Sequence, residues 1–263
     1  MAIESFASAK VNLSLHVTGQ RNDGYHLLDS LVVFANIGDR LSFDSAPTLS
    51  IETSGPFAQG VPVDAGNLVW RAAELAGWTG RIRLEKNLPH GAGIGGGSAD
   101  AAAVLRQFGG AARAAELGAD VPVCLNNAPQ RMRGIGDQLD PVRGLPQFEL
   151  LLVNPHIEVP TGAVFAGLRE KTNAPMERIL PQFDNLATLC RWLARQRNDL
   201  EAPARTIAPQ IDDVLAAMDD ALLARMSGSG ATCFGIYENA AHAEARIRTA
   251  RPDWWVMRGR CLN

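Results

Sequence analysis

The stretch that decides the fold is the run Pro89-His90-Gly91-Ala92-Gly93-Ile94-Gly95-Gly96-Gly97-Ser98-Ala99-Asp100. It holds five glycines within seven residues, and the alanine-rich run that follows at 101–105 favours helix. Glycine permits positive φ and a close approach of the backbone to a ligand. Because a glycine turn that leads into a helix N-terminus presents free N–H groups and a positive dipole end, the run predicts a site for an anion such as phosphate.

Other phosphate-binding loops do not fit this run. A Walker A loop needs a lysine before its Ser or Thr, whereas Gly97 precedes Ser98 here. A Rossmann loop follows a continuous apolar strand, but the lead-in Arg81–Pro89 alternates polar and apolar residues, which predicts a half-exposed antiparallel strand. No protein-kinase motif follows. A glycine turn without a ligand stays open as an alternative, although most turns need only one or two glycines.

Composition narrows the class of protein. A chain of 263 residues makes one large or two modest domains, and 46% hydrophobic with 20% charged residues is typical of a globular chain. The net charge of −3 gives no reason to expect nucleic acid or a membrane surface as partner. Scattered cysteines without a C-x-x-C pair, and the lack of a signal-peptide pattern or a long apolar run, predict a cytoplasmic location.

The N-terminal region alternates strictly between apolar and polar residues over Ala9–Thr18, which predicts a strand. Lys10, Asn12, Ser14 and His16 would share its polar face. Asn67 predicts the cap of a helix over residues 68–76. Further strands are expected at 31–35, 40–43, 149–153, 231–237 and 254–261, and further helices at 186–197, 211–218 and 241–249. These elements predict an α+β fold with helices over one sheet face and a domain boundary near residue 148.

Three segments in this order resemble the GHMP kinase superfamily: the strand with Lys10, the run Pro89–Ser98 and the element Ser227–Gly230. The resemblance implies a two-domain α+β fold. Residues 1–148 would form an ATP-binding domain like domain 2 of ribosomal protein S5, and residues 149–263 a ferredoxin-like α/β sandwich. ATP with Mg²⁺ would be the cofactor of a phosphotransferase with an alcohol acceptor.

Two further motifs, Asp23–His26 and Gly118–Pro122, resemble one member of that superfamily more narrowly. That member phosphorylates a cytidine diphosphate-linked methylerythritol in non-mevalonate isoprenoid synthesis, so a small-molecule substrate is implied, with a monomer or homodimer as assembly. The segment Arg106–Glu116 is shorter than the family pattern and predicts a truncated helix.

The resemblance assigns the chemistry to Asp120 and Lys10. Asp120 would be the base that receives the hydroxyl proton, and Lys10 would steady the carboxylate and the phosphoryl oxygens. Asn12 would reach the same ligand because it shares a strand face with Lys10. From the residues alone, Asp120 as a helix or turn cap and Lys10 as a solvated strand lysine remain alternatives.

The resemblance also implies binding residues. Tyr25 and Phe165 would stack on cytosine and His26 would hydrogen-bond its edge, although ordinary packing or surface roles stay open for all three. Thr161 would bond the substrate or cap a helix, and close backbone approach would be provided by Gly228 and Gly230.

The whole run from Pro89 to Ser98 would wrap the ATP phosphates, with Ser98 on the β- and γ-phosphates or on Mg²⁺. Asn67 and Lys86 would line the adenosine pocket. The rivals are a kinase for another alcohol such as homoserine or mevalonate, an ATP-dependent decarboxylase on the same fold, and a silent nucleotide-binding protein. The motif Asp23–His26 argues against the first rival, and Lys10 with Asp120 against the last.

Overall fold

A computed structural model describes residues 3–263 of the chain, which form two compact units. Unit 1 contains the chain through Lys10 together with Gly38–His90 and Gly95–Asn127, and unit 2 contains Val11–Ile37, Gly91–Ile94 and Ala128–Asn263. Each unit is therefore built from non-consecutive segments, and the boundary near residue 148 stays a prediction. Among residues 3–263, no helix is both long and apolar enough to cross a bilayer.

The strands, in chain order, are β1 (Ile3–Asn12), β2 (His16–Gln20), β3 (His26–Asp44), β4 (Ser50–Ser54), β5 (Arg81–Glu85), β6 (Gln130–Gly134), β7 (Gln138–Pro141), β8 (Glu149–Asn154), β9 (Leu223–Met226), β10 (Cys233–Tyr237) and β11 (Trp255–Leu262). The helices are α1 (Leu68–Leu75), α2 (Gly96–Phe108), α3 (Val121–Cys124), α4 (Thr161–Ala166), α5 (Leu186–Leu193), α6 (Glu201–Ile207), α7 (Gln210–Ala217) and α8 (Ala241–Ala250), with a 3₁₀-helix at Ala111–Glu116.

The sheet of unit 1 is built around β5. This strand is antiparallel to the last part of β3 and parallel to β4. Its residues alternate in burial, with Ile82 and Leu84 inside and Arg81 and Arg83 exposed. The predicted half-exposed strand before the glycine run is therefore confirmed, while the parallel partner makes the sheet mixed.

Helix α2 begins at Gly96, earlier than the alanine run predicted, because Gly95 takes a left-handed conformation (φ 66°) as its N-cap. All residues from Ala99 to Leu105 are buried, so the helix is enclosed on every side. At its far end Phe108 stacks on Trp78, with ring centroids 4.3 Å apart. The small alanine side chains let neighbouring elements pack closely around α2, and this packing fixes the direction of the helix axis.

The chain between α2 and α3 is short and compact. Gly109 and Gly110 take positive φ values of 97° and 90°, which ends α2. Only the 3₁₀-helix Ala111–Glu116 follows before the turn at Gly118. The shortened segment thus carries a single 3₁₀-helix in place of a longer helix.

The predicted strand over residues 9–18 is two strands, since β1 ends at Asn12 and β2 begins at His16. Its polar face is not exposed: Lys10, Asn12, Ser14 and His16 are each at most 4% exposed. This correction has a physical reason. Each of these side chains has an internal hydrogen-bond partner, which offsets the cost of burial.

The larger sheet of unit 2 has the antiparallel order β11-β8-β10-β9. Leu151 and Val153 of β8 share a buried cluster with Val214 of α7 and Ile247 of α8. The first part of β3 pairs with β2 and β6, and β7 pairs with β6. The predicted α+β class, with helices packed on one sheet face, is confirmed in this unit.

Several elements differ from the sequence prediction. The strands expected at 31–35 and 40–43 are parts of the single long strand β3, and α5 ends at Leu193 instead of continuing to residue 197. The sequence did not predict β4, β6, β7, β9, α3, α4 or α6. Strand β6 reads Gln-Arg-Met-Arg-Gly, so it lacks apolar alternation and is defined by its pairing with β3.

A buried ion pair in unit 2 holds the segment 173–178. Arg131 donates from Nε and Nη2 to both carboxylate oxygens of Asp29, at 2.8 and 2.7 Å. The same guanidinium donates to the carbonyl oxygens of Glu177 and Arg178, and Met176 N–H donates to Asp29. Since Arg131 and Asp29 are both buried, one charged pair fixes both the sheet and this segment.

We expect Arg131→Met to lower the free energy of unfolding by about 3–5 kcal/mol, because it leaves the Asp29 carboxylate buried without its partner. The matched control is Arg133→Met on the same strand, whose partner Asp140 is exposed, and it should cost at most about 1 kcal/mol. Chemical denaturation measures both changes. Equal losses in the two variants would contradict the role of the buried pair.

His16 makes the stability of the folded chain depend on pH. Its Nδ1 lies 3.2 Å from the carbonyl oxygen of Ala174, and its Nε2 accepts a hydrogen bond from Arg197 N–H, so the neutral ring satisfies both nitrogens. Burial, followed by the charge of Arg197, lowers the pKa of His16 from its ordinary value of 6.5, although Asp199 and Asp29 oppose the shift.

The unfolded chain takes up this proton near pH 6.5 while the folded chain resists it, so acidification from pH 7 to pH 5 favours unfolding. We expect His16→Gln to flatten this part of the stability profile, by at most about 1.4 kcal/mol for each pH unit. Denaturant titrations at several pH values measure the slope. An unchanged slope in the variant would exclude His16 as its source.

Candidate functional site

An ion pair in unit 1 joins the two residues predicted to carry the chemistry. Lys10 Nζ of β1 lies 2.7 Å from Asp120 Oδ2, at the start of α3. The lysine side chain is 5% exposed and the aspartate side chain 42%. Asp120 is placed by the turn at Gly118 and by Pro122 in the first turn of α3. The carboxylate is thus held by a charge-assisted bond on one side and open to an incoming group on the other.

The N-terminus of α2 lies beside this pair. The first helical bond runs from Ala99 N–H to Gly95 O, so the N–H groups of Gly96, Gly97 and Ser98 have no acceptor within the helix. A Cβ added at Gly95 would lie 3.2 Å from Lys10 Cβ, so the lysine stem packs against the turn. Free N–H groups next to a lysine suit an anion.

A second buried charge cluster in unit 1 consists of Asp39, Lys86 and Asp100, which we call the buried triad. Lys86 Nζ donates to Asp39 Oδ2 and, at 2.7 Å, to Asp100 Oδ2. Asp39 Oδ1 also accepts from the N–H groups of Asn87 and Leu88, at 2.5 and 2.9 Å. All three triad residues are at most 4% exposed, so the Lys86 ammonium is enclosed.

The triad holds one ammonium against two carboxyls, and burial governs their protonation. Burial raises the pKa of Asp100, an effect that the charge of Lys86 only partly offsets. Burial alone would lower the pKa of Lys86, but attraction by Asp100 and Asp39 outweighs it and raises this pKa. The Lys86 ammonium therefore keeps its charge. The group whose pKa shift favours its neutral form is the carboxyl of Asp100, not Lys86.

In unit 2, Gly228 of the turn 227–230 lies against the backbone of the glycine run. A Cβ added at Gly228 would lie 2.7 Å from Gly93 O, and one at Gly93 would collide with the carbonyl oxygen of Ser227. Ser227 Oγ accepts from Asn12 N–H at 3.1 Å and donates to Gly93 O at 3.0 Å. Residues 91–94 are therefore locked against the turn 227–230, and Gly230 takes a positive φ of 87° in that turn.

Asn12 and Thr161, both predicted to bind substrate, already have partners in unit 2. Asn12 Nδ2 donates to Ser30 Oγ at 2.8 Å, while its Oδ1 has no hydrogen-bond partner among residues 3–263. Thr161 Oγ1 lies 2.9 Å from Ser229 Oγ, so the start of α4 is linked to the turn 227–230. Asn12 is fully buried, which fixes its amide orientation.

The residues predicted to hold cytosine are brought together in part. His26 stacks on Phe165 with ring centroids 4.6 Å apart and an interplanar angle of 24°. Tyr25 is 58% exposed at the end of the turn that follows Arg21. Burial, followed by the charge of Lys171, lowers the pKa of His26, so the neutral ring is favoured. One face of Phe165 is thus covered by His26.

Other predicted ATP residues have structural partners. Asn67 accepts from Val69 N–H as the N-cap of α1 and donates to Pro62 O, and His90 Nε2 lies 2.6 Å from Phe57 O. The side chains of Ala92 and Ile94 are buried. Within this run, contacts to a ligand would therefore come from backbone groups rather than from these side chains.

Sequence reasoning missed Asp39, Asp100 and Ser227 as site-forming residues. Asp100 adjoins the glycine run and Ser227 lies inside a quoted motif, so their positions were visible but their partners were not. Nothing near Asp39 in sequence indicated its pairing with Lys86, which lies 47 residues away. In the described part of the chain, no three His, Cys, Asp or Glu side chains cluster as a metal site.

Comparison with known proteins identifies the family. The model described as GHMP kinases N terminal domain matches residues 67–127, and the model described as GHMP kinases C terminal matches residues 176–253. A 4-diphosphocytidyl-2-C-methyl-D-erythritol kinase of Dinoroseobacter shibae is 58% identical over 97% of this chain and 93% of the relative. One from Ruegeria pomeroyi is 53% identical over the whole of both chains.

Solved structures support the same family and fold. The crystal structure of a 4-(cytidine 5'-diphospho)-2C-methyl-D-erythritol kinase is 33% identical, with a TM-score of 0.74 over 99% of this chain and 100% of that chain. A homoserine kinase from Cytophaga hutchinsonii, 21% identical with a TM-score of 0.64 over 98% of this chain and 94% of that chain, shares the fold. The predicted GHMP kinase fold is confirmed, and the chain belongs to the 4-diphosphocytidyl-2-C-methyl-D-erythritol kinase family.

Proposed function

We propose that this kinase transfers the γ-phosphoryl group of ATP to a hydroxyl of 4-diphosphocytidyl-2-C-methyl-D-erythritol, giving the 2-phosphate and ADP in the non-mevalonate route to isoprenoid precursors. Family membership supports the reaction. The observation that carries it is the 2.7 Å pair of Lys10 Nζ and Asp120 Oδ2 beside the N-terminus of α2.

In this reaction Asp120 accepts the proton of the attacking hydroxyl. Its Oδ2 is held by Lys10, and the half-exposed carboxylate leaves its other oxygen to the substrate. Phosphoryl transfer passes through a loose transition state, so catalysis depends on positioning and on stabilising charge. The Lys10 ammonium therefore serves twice, because it orients the base and offsets negative charge on the phosphoryl oxygens.

The phosphates of ATP would bind the backbone N–H groups at the start of α2 and the run 89–98. Ser98 lies in the first turn of α2, where its hydroxyl would join the β- and γ-phosphates or hold Mg²⁺. Magnesium is usually bound through one or two protein oxygens plus the phosphates, which fits a chain whose described residues form no metal cluster. Bound Mg²⁺ would neutralise charge on the phosphates.

The acceptor would bind through residues of unit 2. Cytosine would stack on Tyr25 and Phe165, and neutral His26 would hydrogen-bond the base edge. Asn12 Oδ1 and Thr161 Oγ1 would contact the substrate's polar groups, with Gly228 and Gly230 allowing backbone approach.

The location and the assembly of the chain stay predictions: a cytoplasmic protein that is a monomer or a homodimer. The four cysteines are free thiols.

An ATP-consumption assay tests the function directly. Purified protein would be given the cytidine-linked methylerythritol, homoserine, mevalonate or galactose, with ADP and carbon dioxide both monitored. We expect turnover with the cytidine-linked substrate alone and no carbon dioxide. Turnover with another alcohol, or release of carbon dioxide, would replace the proposed substrate or reaction.

We expect Asp120→Asn to lower kcat by at least ~100-fold, because the amide cannot accept the hydroxyl proton. The fold should persist, since the Asp120 side chain is 42% exposed. Asp44→Asn is the matched control, because it also removes a carboxylate from an ion pair of unit 1. Asp44 and its partner Arg83 are both partly exposed, and this variant should leave kcat unchanged. Steady-state kinetics measure both, and near-normal kcat in Asp120→Asn would exclude the base assignment.

Substitution of the proposed cytosine platform should act on binding. Tyr25→Ala combined with Phe165→Ala should raise KM for the acceptor by the equivalent of about 1–3 kcal/mol for each lost stacking contact. Phe183→Ala, which disrupts the pair of Phe183 and Trp192 elsewhere in unit 2, is the control and should not change KM. An unchanged KM in the double variant would refute cytosine stacking at these rings.

A further inference from the structure

Lys86 directs its charge into a buried cluster of two carboxyls. Its ammonium donates to Asp39 and Asp100, and the residue is 4% exposed in unit 1. Its backbone is equally constrained, because Lys86 N–H donates to Ser54 O and Lys86 O accepts from Phe57 N–H. A lysine held in this way by both backbone and side chain cannot turn to a nucleotide without breaking two buried ion pairs.

The partners of Lys86 belong to the two ends of the glycine run. At the entry, Asp39 Oδ1 accepts the N–H groups of Asn87 and Leu88, at 2.5 and 2.9 Å. At the exit, Asp100 lies four residues after Gly96, on the second turn of α2. A Cβ added at Gly96 would lie 3.5 Å from Leu88 Cβ and 3.6 Å from Asp39 Oδ2, so entry and exit pack against the same carboxylate.

We propose that the buried triad Asp39–Lys86–Asp100 is a positioning element that sets the direction of the phosphate-binding N–H groups of α2, and that Lys86 is not a direct ATP ligand. This inference rests on the proposed use of ATP. It revises the sequence prediction that Lys86 lines the adenosine pocket. A single ammonium spans the two anchors, Asp39 and Asp100, between which the run turns.

The triad should affect the affinity for ATP, because misaligned N–H groups bind phosphate less well. Hydrogen bonds to phosphate depend on N–H direction, and a displacement of about 1 Å at a positioning element can lower a reaction rate by up to about 100-fold. Without Lys86, the two buried carboxyls would lose the ammonium that links them, so the two ends of the run would no longer be held together. ATP binding would weaken, whereas an acceptor held by unit 2 residues would bind as before.

A binding assay with a fluorescent ATP analogue tests this without any assumption about the acceptor. We expect Lys86→Met to raise the Kd of the analogue by at least about tenfold. Arg83→Met is the matched control on β5, where the guanidinium forms surface ion pairs with Asp44 and Glu52, and it should leave this Kd unchanged. In kinetics, Lys86→Met should raise KM for ATP and leave KM for the acceptor unchanged.

Two carboxamide substitutions separate positioning from simple loss of stability. Asp100→Asn should keep Kd within about threefold, because only Oδ2 has a partner and the amide oxygen replaces it. Asp39→Asn should weaken binding as much as Lys86→Met, since both its oxygens accept and an amide offers one acceptor. Thermal melting and the fraction of protein that binds the analogue establish that each variant is folded.

The outcomes are distinct. Unchanged Kd in folded Lys86→Met, or equal effects of Asp39→Asn and Asp100→Asn, would overturn the positioning role while leaving the proposed function intact. Equal rises in KM for ATP and for the acceptor would also overturn it, since they indicate a general defect. If the wild-type chain itself failed to bind the analogue, the proposed function would fall and this inference with it.

Discussion

A single buried ammonium is the constraint on which the nucleotide half of this kinase depends. Lys86 joins two carboxyls that belong to the entry and the exit of the glycine run, and all three groups are enclosed. A buried ion pair is weak support for stability, because desolvation offsets most of the attraction. Its clearer effect is specificity of geometry, since only one arrangement of the chain satisfies the charges. Here that arrangement holds the start of α2 against Leu88 and Asp39.

The proposed catalytic pair of Lys10 and Asp120 differs from the triad in its exposure to solvent. Lys10 is buried while the Asp120 side chain is 42% exposed, so the cation is fixed and the carboxylate is accessible. The Lys10 stem also packs on Gly95, which joins the base to the turn that would hold phosphate. In the mechanism proposed here, one charge cluster holds the phosphate-binding helix in place and the other performs the transfer. Both lie in unit 1, and the residues proposed for the acceptor lie in unit 2.

The sequence predicted what depends on local chemistry. The Asn67 cap and the half-exposed strand β5 are set by neighbouring residues and were correctly predicted, and the glycine run leads into a helix as expected. Pairs of residues that are distant in sequence could not be predicted. Nothing in the pattern around Asp39 indicates that it pairs with a lysine 47 residues further along the chain. The alternation over residues 9–18 predicted a polar face but not its burial, since burial depends on what packs against the strand. Strand β6 was missed because pairing rather than alternation defines it.

The central claim is that backbone N–H groups at the start of α2 hold the phosphates of ATP. Amide resonances of Gly96, Gly97 and Ser98, followed by NMR during titration with a non-hydrolysable ATP analogue, test it most directly. We expect large shifts and slower hydrogen exchange at these three amides, while the Asn185-capped first turn of α5 stays unchanged. Saturation with nucleotide that leaves the three amides unaffected would contradict the claim.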